Sequence, residues 1–573
     1  MFGRVRRLLS YSLGVAIAAT VLAPAQPAAA ADLIERTGSW TLTRVDGDKR
    51  QFIASVEAAG VQKASVTEVL GENDGIAGLC HGTGLNGTLR YDGYCWGSEL
   101  DHSNYADPAG GWMPQGFAGA HAATDSGLYQ GQSSLNVSSW YFGTWVDGRS
   151  PSTIEEYTRV TLSQAFNNAV SYGNIALVEP VNGNFKELTY RSHADGVAWY
   201  EDMLFVANGM ELQVYDLRHI WRMTDTAGSG TGLSGGKSSA RHHRWALPLV
   251  ARYTTKANAQ VDTDLQPFGA GGPRACGPHL GPLCLSTLSV DRYTHTMVSA
   301  ENYGNAGGRI VRWDLPSLAF APPSVQLAST GTWLESPVWG IQGIARDGAT
   351  GNYFMSGVCP AGYPMGDTGD RYSCLHMAKP GEAPRVLSQA PQLTQGLSWD
   401  WRAQRLWGLN EGLDSKGWGA QRVVFSLEAY AGRADAEGYG WLVNPWRPGF
   451  ICATPQGDKT DNGTPVTIWA CTGSESQRWK LDNGLLVHKA SGKCLTPQGN
   501  GANVNGALLT LWTCNPASDV QKFSQVGGQI INGYGKVITP KGNSLESGVW
   551  LTLWSKDTAV AENVYQKWHV RDF

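Results

Sequence analysis

Charge is scarce in this 573-residue chain: Lys+Arg number 45 and Asp+Glu 49, together 16% of residues, and the formal net charge is -4. Such a balance lacks the basic footprint that phosphate backbones demand, so no nucleic-acid partner is expected. Helix-period stretches of note are missing between about Asp32 and Gly440. Catalytic signatures are also wanting, with no His-Glu-x-x-His helix and no phosphate loop. Asp262 and Asp264 are two acids without the rest of a calcium loop, so neither a metal nor a cofactor is expected.

What the chain has in plenty is glycine (71), tryptophan (23) and tyrosine (21), a composition that suits many short strands, tight turns and sugar-stacking surfaces. Met1 to about Ala31 reads as a secretory signal. Arg4, Arg6 and Arg7 precede an apolar run from Leu8 to Leu22, and Ala28 to Ala31 offer a cleavage site. The run is too short and too alanine-rich for a membrane span, and no cysteine stands near it to carry a lipid. A secreted, extracellular, monomeric protein is the expectation. Ten cysteines in an exported chain favour disulfides over metal sites. Proximity pairs Cys80 with Cys95, Cys276 with Cys284, Cys359 with Cys374, Cys452 with Cys471, and Cys494 with Cys514.

From 32 to 440 a strand opener recurs, each followed by alternating apolar strands. The openers are Gln115-Gly-Phe-Ala, Asp195-Gly-Val-Ala-Trp, Cys284-Leu-Ser-Thr-Leu, Gln342-Gly-Ile-Ala and Gln395-Gly-Leu-Ser-Trp. Repeated strand, turn, strand, strand with glycine at the opener predicts a β-propeller of about five blades, with a sandwich plus a small extra domain as the rival architecture. The alternating strand Ser39–Val45 has no local partner and is expected to seal the last blade, because an unsealed ring exposes an edge. Thr226 to Ser239, with Arg241-His-His-Arg244 after it, reads as a mobile loop ending in a solvated basic tip, or in a contact for phosphate or uronate. The short stretch Ala431 to Gly440, followed by Trp441 and Trp446, predicts a C-terminal domain packed onto the propeller. Openers that line a channel bring Gln115, His193, Asp195, Gln342 and Gln395 towards one mouth. A glycosidase needs two carboxylates about 5–10 Å apart, and His193, Asp195 and Glu335 are the candidate catalytic residues for that chemistry.

The remaining residues, 441–573, repeat three times. Trp469, Trp512 and Trp554 are 43 and 42 residues apart, each ending a Thr-Ile-Trp or Thr-Leu-Trp strand. Thr454-Pro-Gln-Gly, Thr496-Pro-Gln-Gly and Thr539-Pro-Lys-Gly precede them, and Gln477-Arg-Trp, Gln521-Lys-Phe and Gln566-Lys-Trp follow. Such a period belongs to units that bury their apolar faces only together. The Gln-x-Trp signature with the Cys-Ala-Thr and Cys-Leu-Thr openings resembles the ricin-type lectin family, which implies a β-trefoil and carbohydrate binding. The resemblance puts the stacking aromatic at Trp469, Trp512 and Trp554, with Thr454, Thr496, Thr539, Gln477, Gln521 and Gln566 at its polar site positions. It also puts intra-repeat bridges at Cys452–Cys471 and Cys494–Cys514, while the third repeat has Val537 and Lys556 there. The family's aspartates, which supply charge-assisted bonds to sugar hydroxyls, are threonines here in all three repeats. Its asparagine before the glutamine is replaced by Ser476, Val520 and Tyr565.

The expected whole is therefore a secreted all-β protein that attaches to glycans or polysaccharides through the trefoil, with the propeller as an interaction platform. The alternative is a secreted glycoside hydrolase or polysaccharide lyase with a catalytic propeller and a trefoil anchor. A lactonase-like propeller is more remote, since it needs a metal.

Overall fold

A computed structural model of the chain describes residues 31–81, 92–96, 111–132, 134–146, 150–166, 169–188, 192–256, 281–303, 307–319, 326–360, 373–391, 393–411, 422–429, 439–444, 451–470, 474–526, 529–557 and 564–571. The signal segment 1–30, Asp262, Asp264, Trp446 and most of the stretch 431–440 lie outside them. The fold is all-β, with two large strand systems and a few short helices.

In the N-terminal part each opener heads an antiparallel four-stranded unit. The first runs Gly111–Gly119, Leu135–Val146, Ser150–Phe166 and Ala169–Val181. The second runs Gly196–Tyr200, Met203–Asn208, Glu211–Asp216 and Trp245–Thr254. The third runs Thr287–Asp291, Thr296–Ala300, Gly307–Asp314 and Gln326–Trp339. The fourth consists of Gly343–Asp347, Asn352–Val358, Ser373–Ala378 and Arg385–Ala390. The fifth has Thr394–Asp400, Arg405–Asn410 and Val423–Glu428, completed by Asp92–Cys95 from far upstream.

The first strands of these units approach one another in order. A side chain at Gly116 would meet the Val197 nitrogen at 2.3 Å, one at Gly196 the Leu288 nitrogen at 2.6 Å, and one at Gly396 the Phe117 nitrogen at 2.4 Å. Only glycine lets backbone reach backbone this closely, which is why it recurs at the opener. Between the third and fourth units, Arg346 pairs with Asp291. Wholly buried Trp140, Trp199, Trp245 and Trp313 fill the space between strands.

Three expectations need correction. Thr41–Val45 does not seal the last unit; it pairs with Trp245–Thr254 and Gln326–Trp339, bridging the second and third units. The strand on the fifth unit's edge is Asp92–Cys95, which continues through Gly75–His81 to the first unit. Alternation reports a half-buried strand, not which edge accepts it. Thr226–Ser239 is not a free loop, because Thr231–Ser234 and Lys237–Ala240 pair as a hairpin turning on Gly235 and Gly236. Short helices also occur among the described residues where none was expected, two of them ahead of the first unit. Arg50–Ala58 is one; the other, Val66–Gly71, starts at a capping box in which Ser65 and Glu68 satisfy each other's backbone N–H groups.

The C-terminal part is a trefoil of twelve strands in one sheet system, closed where Gly440–Asn444 pairs with His569–Arg571. Its core contains Leu442, Ile468, Trp479, Leu511, Leu553 and Trp568. Ala349 of the fourth N-terminal unit packs against Val443 and Cys452, so the two parts touch. Disulfides join Cys359 to Cys374 and Cys494 to Cys514. Cys95, Cys284 and Cys452 are disulfide-bonded as well, to partners outside the described side chains.

Candidate functional site

The site grows from the Thr-x-Trp strands. In Val466–Ala470, Ala507–Trp512 and Leu551–Ser555, period-2 alternation turns Ile468, Leu511 and Leu553 into the core and leaves the tryptophans outside. Trp469, Trp512 and Trp554 are 46%, 49% and 42% exposed, which is far more than a core role allows.

Each ring lies over a glycine of another repeat. The Cβ positions of Gly548, Gly463 and Gly506 fall 3.6, 3.7 and 3.8 Å from Trp469, Trp512 and Trp554 respectively, a cyclic arrangement of three equivalent contacts. All three glycines have φ between +82° and +87°, in the left-handed region that a side chain disfavours. Sequence reading missed them, although they recur 43 and 42 residues apart like the tryptophans. Asparagine ties hold two of the three seams. Asn462 Oδ1 accepts from the Thr513 N–H at 3.0 Å, and Asn505 Oδ1 accepts from the Ser555 N–H at 2.8 Å. At the third seam Ser547 and Ala470 take those places.

The polar positions lie buried behind the strand ends. Gln477, Gln521 and Gln566 are buried, and each donates from Nε2 to the threonine of its repeat: Thr454 at 3.1 Å, Thr496 at 2.8 Å and Thr539 at 3.3 Å. The same amides also donate to the carbonyls of Ala470, Thr513 and Ser555. Each threonine hydroxyl in turn donates to a carbonyl two residues back, at Cys452, Cys494 or Val537. A buried polar group that is internally satisfied holds the fold and has little left for a ligand. The geometry therefore brings threonine and glutamine together as a bracket beneath each strand end and leaves the tryptophan as the group that meets solvent.

The N-terminal candidates each have local partners. Asp195 sits at the head of the second unit, 2.9 Å from His193 Nδ1, and accepts from the Gly209 N–H at 2.8 Å. His193 stacks on Tyr141 at 4.1 Å. Glu335 lies on the outermost strand of the third unit in an ion pair with Arg36 at 2.7 Å. The two carboxylates thus belong to different strands with separate partners. Gln115 donates to the Pro114 carbonyl, and Gln395 donates to Glu411 at 2.7 Å. Gly232-Leu-Ser-Gly-Gly236 has the letters of a nucleophile elbow, but Ser234 is exposed beside a hairpin turn with no helix after it. Among the described residues, no cluster of three or more His, Cys, Asp or Glu could hold a metal ion, and no helix is long and apolar enough to cross a membrane.

A segment of 47 residues is 41% identical to the probable lipoprotein EnvE of Salmonella typhimurium, covering 8% of this chain and 27% of that protein's length. Among solved structures, the earthworm R-type lectin C-half in complex with GalNAc is 12% identical over 23% of this chain and 98% of its own, with a TM-score of 0.20. The Vibrio vulnificus hemolysin/cytolysin β-trefoil lectin with bound N-acetyl-D-lactosamine is 24% identical over 23% and 93%, with a TM-score of 0.19. The designed threefold-symmetric protein ThreeFoil is 22% identical over 24% and 99%, with a TM-score of 0.21. The family described as the ricin-type beta-trefoil lectin domain matches residues 439–568, and that segment is a lectin domain of this family.

Proposed function

We propose that the protein is a secreted carbohydrate-binding protein that attaches to glycans or polysaccharides through its trefoil, residues 441–573. The observation that carries this reading is the set of three exposed tryptophans at equivalent strand ends of a ricin-type domain. An aromatic face suits the apolar side of a pyranose. With threonine in place of the usual carboxylate, stacking takes the larger share of each contact, and three equivalent sites on one rigid body compensate through avidity. Export is supported by the disulfides and by the apolar N-terminal run behind Arg4, Arg6 and Arg7. The first cysteine is Cys80, so a lipid on a cysteine beside that run is not part of the reading.

Residues 32–440 form, in this reading, a five-bladed propeller that serves as an interaction platform. Its support is the close approach of first strands at Gly116, Gly196 and Gly396, together with the Asp92–Cys95 strand that ties the chain's early part to its fifth unit. The hydrolase or lyase reading keeps Asp195 and Glu335 as its candidate pair, each held by its own partner, His193 and Arg36.

Retention on immobilised polysaccharide tests the central claim. Replacing Trp469, Trp512 and Trp554 together with alanine should abolish retention while each single replacement weakens it. Unchanged retention of the triple variant sinks the reading.

A further inference from the structure

Away from the trefoil, a cavity of about 430 Å³ opens on one face of the first N-terminal unit. Trp112, Phe142 and Tyr157 form its wall. They are directly opposed on three adjacent strands, Trp112 across from Phe142 and Phe142 across from Tyr157, so strand register alone aligns them on one face. Arg159, two residues beyond Tyr157, shares that face. Arg241 and His243 border the cavity from the segment after the Thr231–Ala240 hairpin, with Arg241 over the Tyr157 ring at 3.6 Å.

Arg159 is the unusual group. It is only 5% exposed, and its guanidinium lies 4.0 Å from the Trp112 ring centre and 5.3 Å from that of Trp140. Its Nε and Nη2 are buried and have no hydrogen-bond acceptor, and among the described residues no carboxylate forms an ion pair with it. A buried charge without a partner is costly, and burial depresses this guanidinium to about 9. The other charges around the cavity have partners. Arg241 pairs with Glu187 at 2.5 Å, and Asp74 accepts from the Asn174 N–H at 2.6 Å. His243 donates from Nδ1 towards the carbonyls of Ala240 and Arg241, and burial pushes it down to about 4, so it is neutral.

We propose that this cavity is a second saccharide site, taking a pyranose that carries a carboxylate, a uronic acid residue, with the carboxylate against Arg159 and the ring against the Trp112, Phe142 and Tyr157 wall. Arg159 keeps donors without an acceptor, its charge offset only electrostatically by Asp74, and so has room for one carboxylate. Asp74 at the cavity opposes any anion, a phosphate dianion about twice as strongly as a single carboxylate, and phosphate has no apolar face for three aromatic rings to cover. The site is independent of the trefoil, because none of its residues belongs to the ricin-type segment.

The test uses the full chain carrying the Trp469→Ala, Trp512→Ala and Trp554→Ala replacements, so that the trefoil contributes nothing. Calorimetric titration with digalacturonate, dimannuronate, the methyl ester of digalacturonate and inorganic phosphate should show binding of at least one free acid, about tenfold or more weaker binding of the ester, and weaker binding of phosphate. Arg159→Met preserves volume and removes the buried charge. It should keep or raise the melting temperature while losing the acid by a similar factor. Binding of neither acid, equal binding of acid and ester, or preference for phosphate overturns the proposal. So does full binding by a folded Arg159→Met variant; the ester comparison decides the matter even if that variant does not fold.

Discussion

Tryptophan divides the molecule. In the N-terminal units Trp140, Trp199, Trp245 and Trp313 are sealed inside, and among the described residues no exposed tryptophan recurs at matching places from unit to unit. In the trefoil, Trp479 and Trp568 are equally sealed, yet Trp469, Trp512 and Trp554 stand nearly half out of the surface at the same place in every repeat. Burial of a large ring is what a core requires, whereas repeated exposure of one leaves apolar surface in water, at a hydrophobic cost that packing does not explain. A residue type therefore says little about function until its place in the strand alternation is known.

That contrast can be broken from either side. The largest effect is expected at the buried end: Trp568→Ala should destabilise the trefoil by about 3–5 kcal/mol, measured by denaturant unfolding, because it empties a closed core. A loss below about 1 kcal/mol would mean the ring does not pack as described. The polar bracket comes next. Gln521→Ala removes the donor to Thr496 and Thr513 and the acceptor for the Asn515 N–H, so it should cost about 1–3 kcal/mol. If instead it abolished glycan retention at unchanged stability, the glutamine would be a ligand contact after all.

Histidine offers a test in the N-terminal part. His376 is buried with Nε2 3.0 Å from the Val358 carbonyl, and burial lowers it to about 4. Its folded value lies below the ordinary 6.5, so the unfolded chain binds the extra proton first. Stability is full above about pH 6.5 and falls as pH drops towards 4, at up to roughly 1.4 kcal/mol per pH unit. Unfolding followed from pH 7 to 4.5 should show that slope, reduced in His376→Gln. An unchanged slope would assign the pH dependence to other groups. The smallest effect is expected at the exposed end, where Trp469→Ala should change stability by less than about 1 kcal/mol while weakening retention. A larger loss would make that ring structural.

How much was legible beforehand differs between the two parts. The threefold period, the exposed tryptophans and the Cys494–Cys514 bridge were all readable, because in a trefoil each repeat meets the same environment and so carries the same letters. The threonine and glutamine positions were readable as places but not as roles, since their burial follows from strands closing over them. In the N-terminal part the glycine openers were found, yet the edge partner of the fifth unit was misassigned. Asp92-Gly-Tyr-Cys is four residues long and carries no alternation to compare with Ser39–Val45; what suits it to that edge is Gly93, where any side chain would strike the Val424 carbonyl.

By itself, then, the sequence determined the repeat, the strand class and the positions of the aromatic and cysteine residues, because these follow from local period and composition. Tertiary structure alone decided which polar groups are spent on the fold, which strand caps which edge, and that Arg159 lies unpaired against an aromatic wall. Those outcomes depend on residues up to hundreds of positions apart being brought into contact, and no local pattern encodes the burial and charge balance that such contacts create.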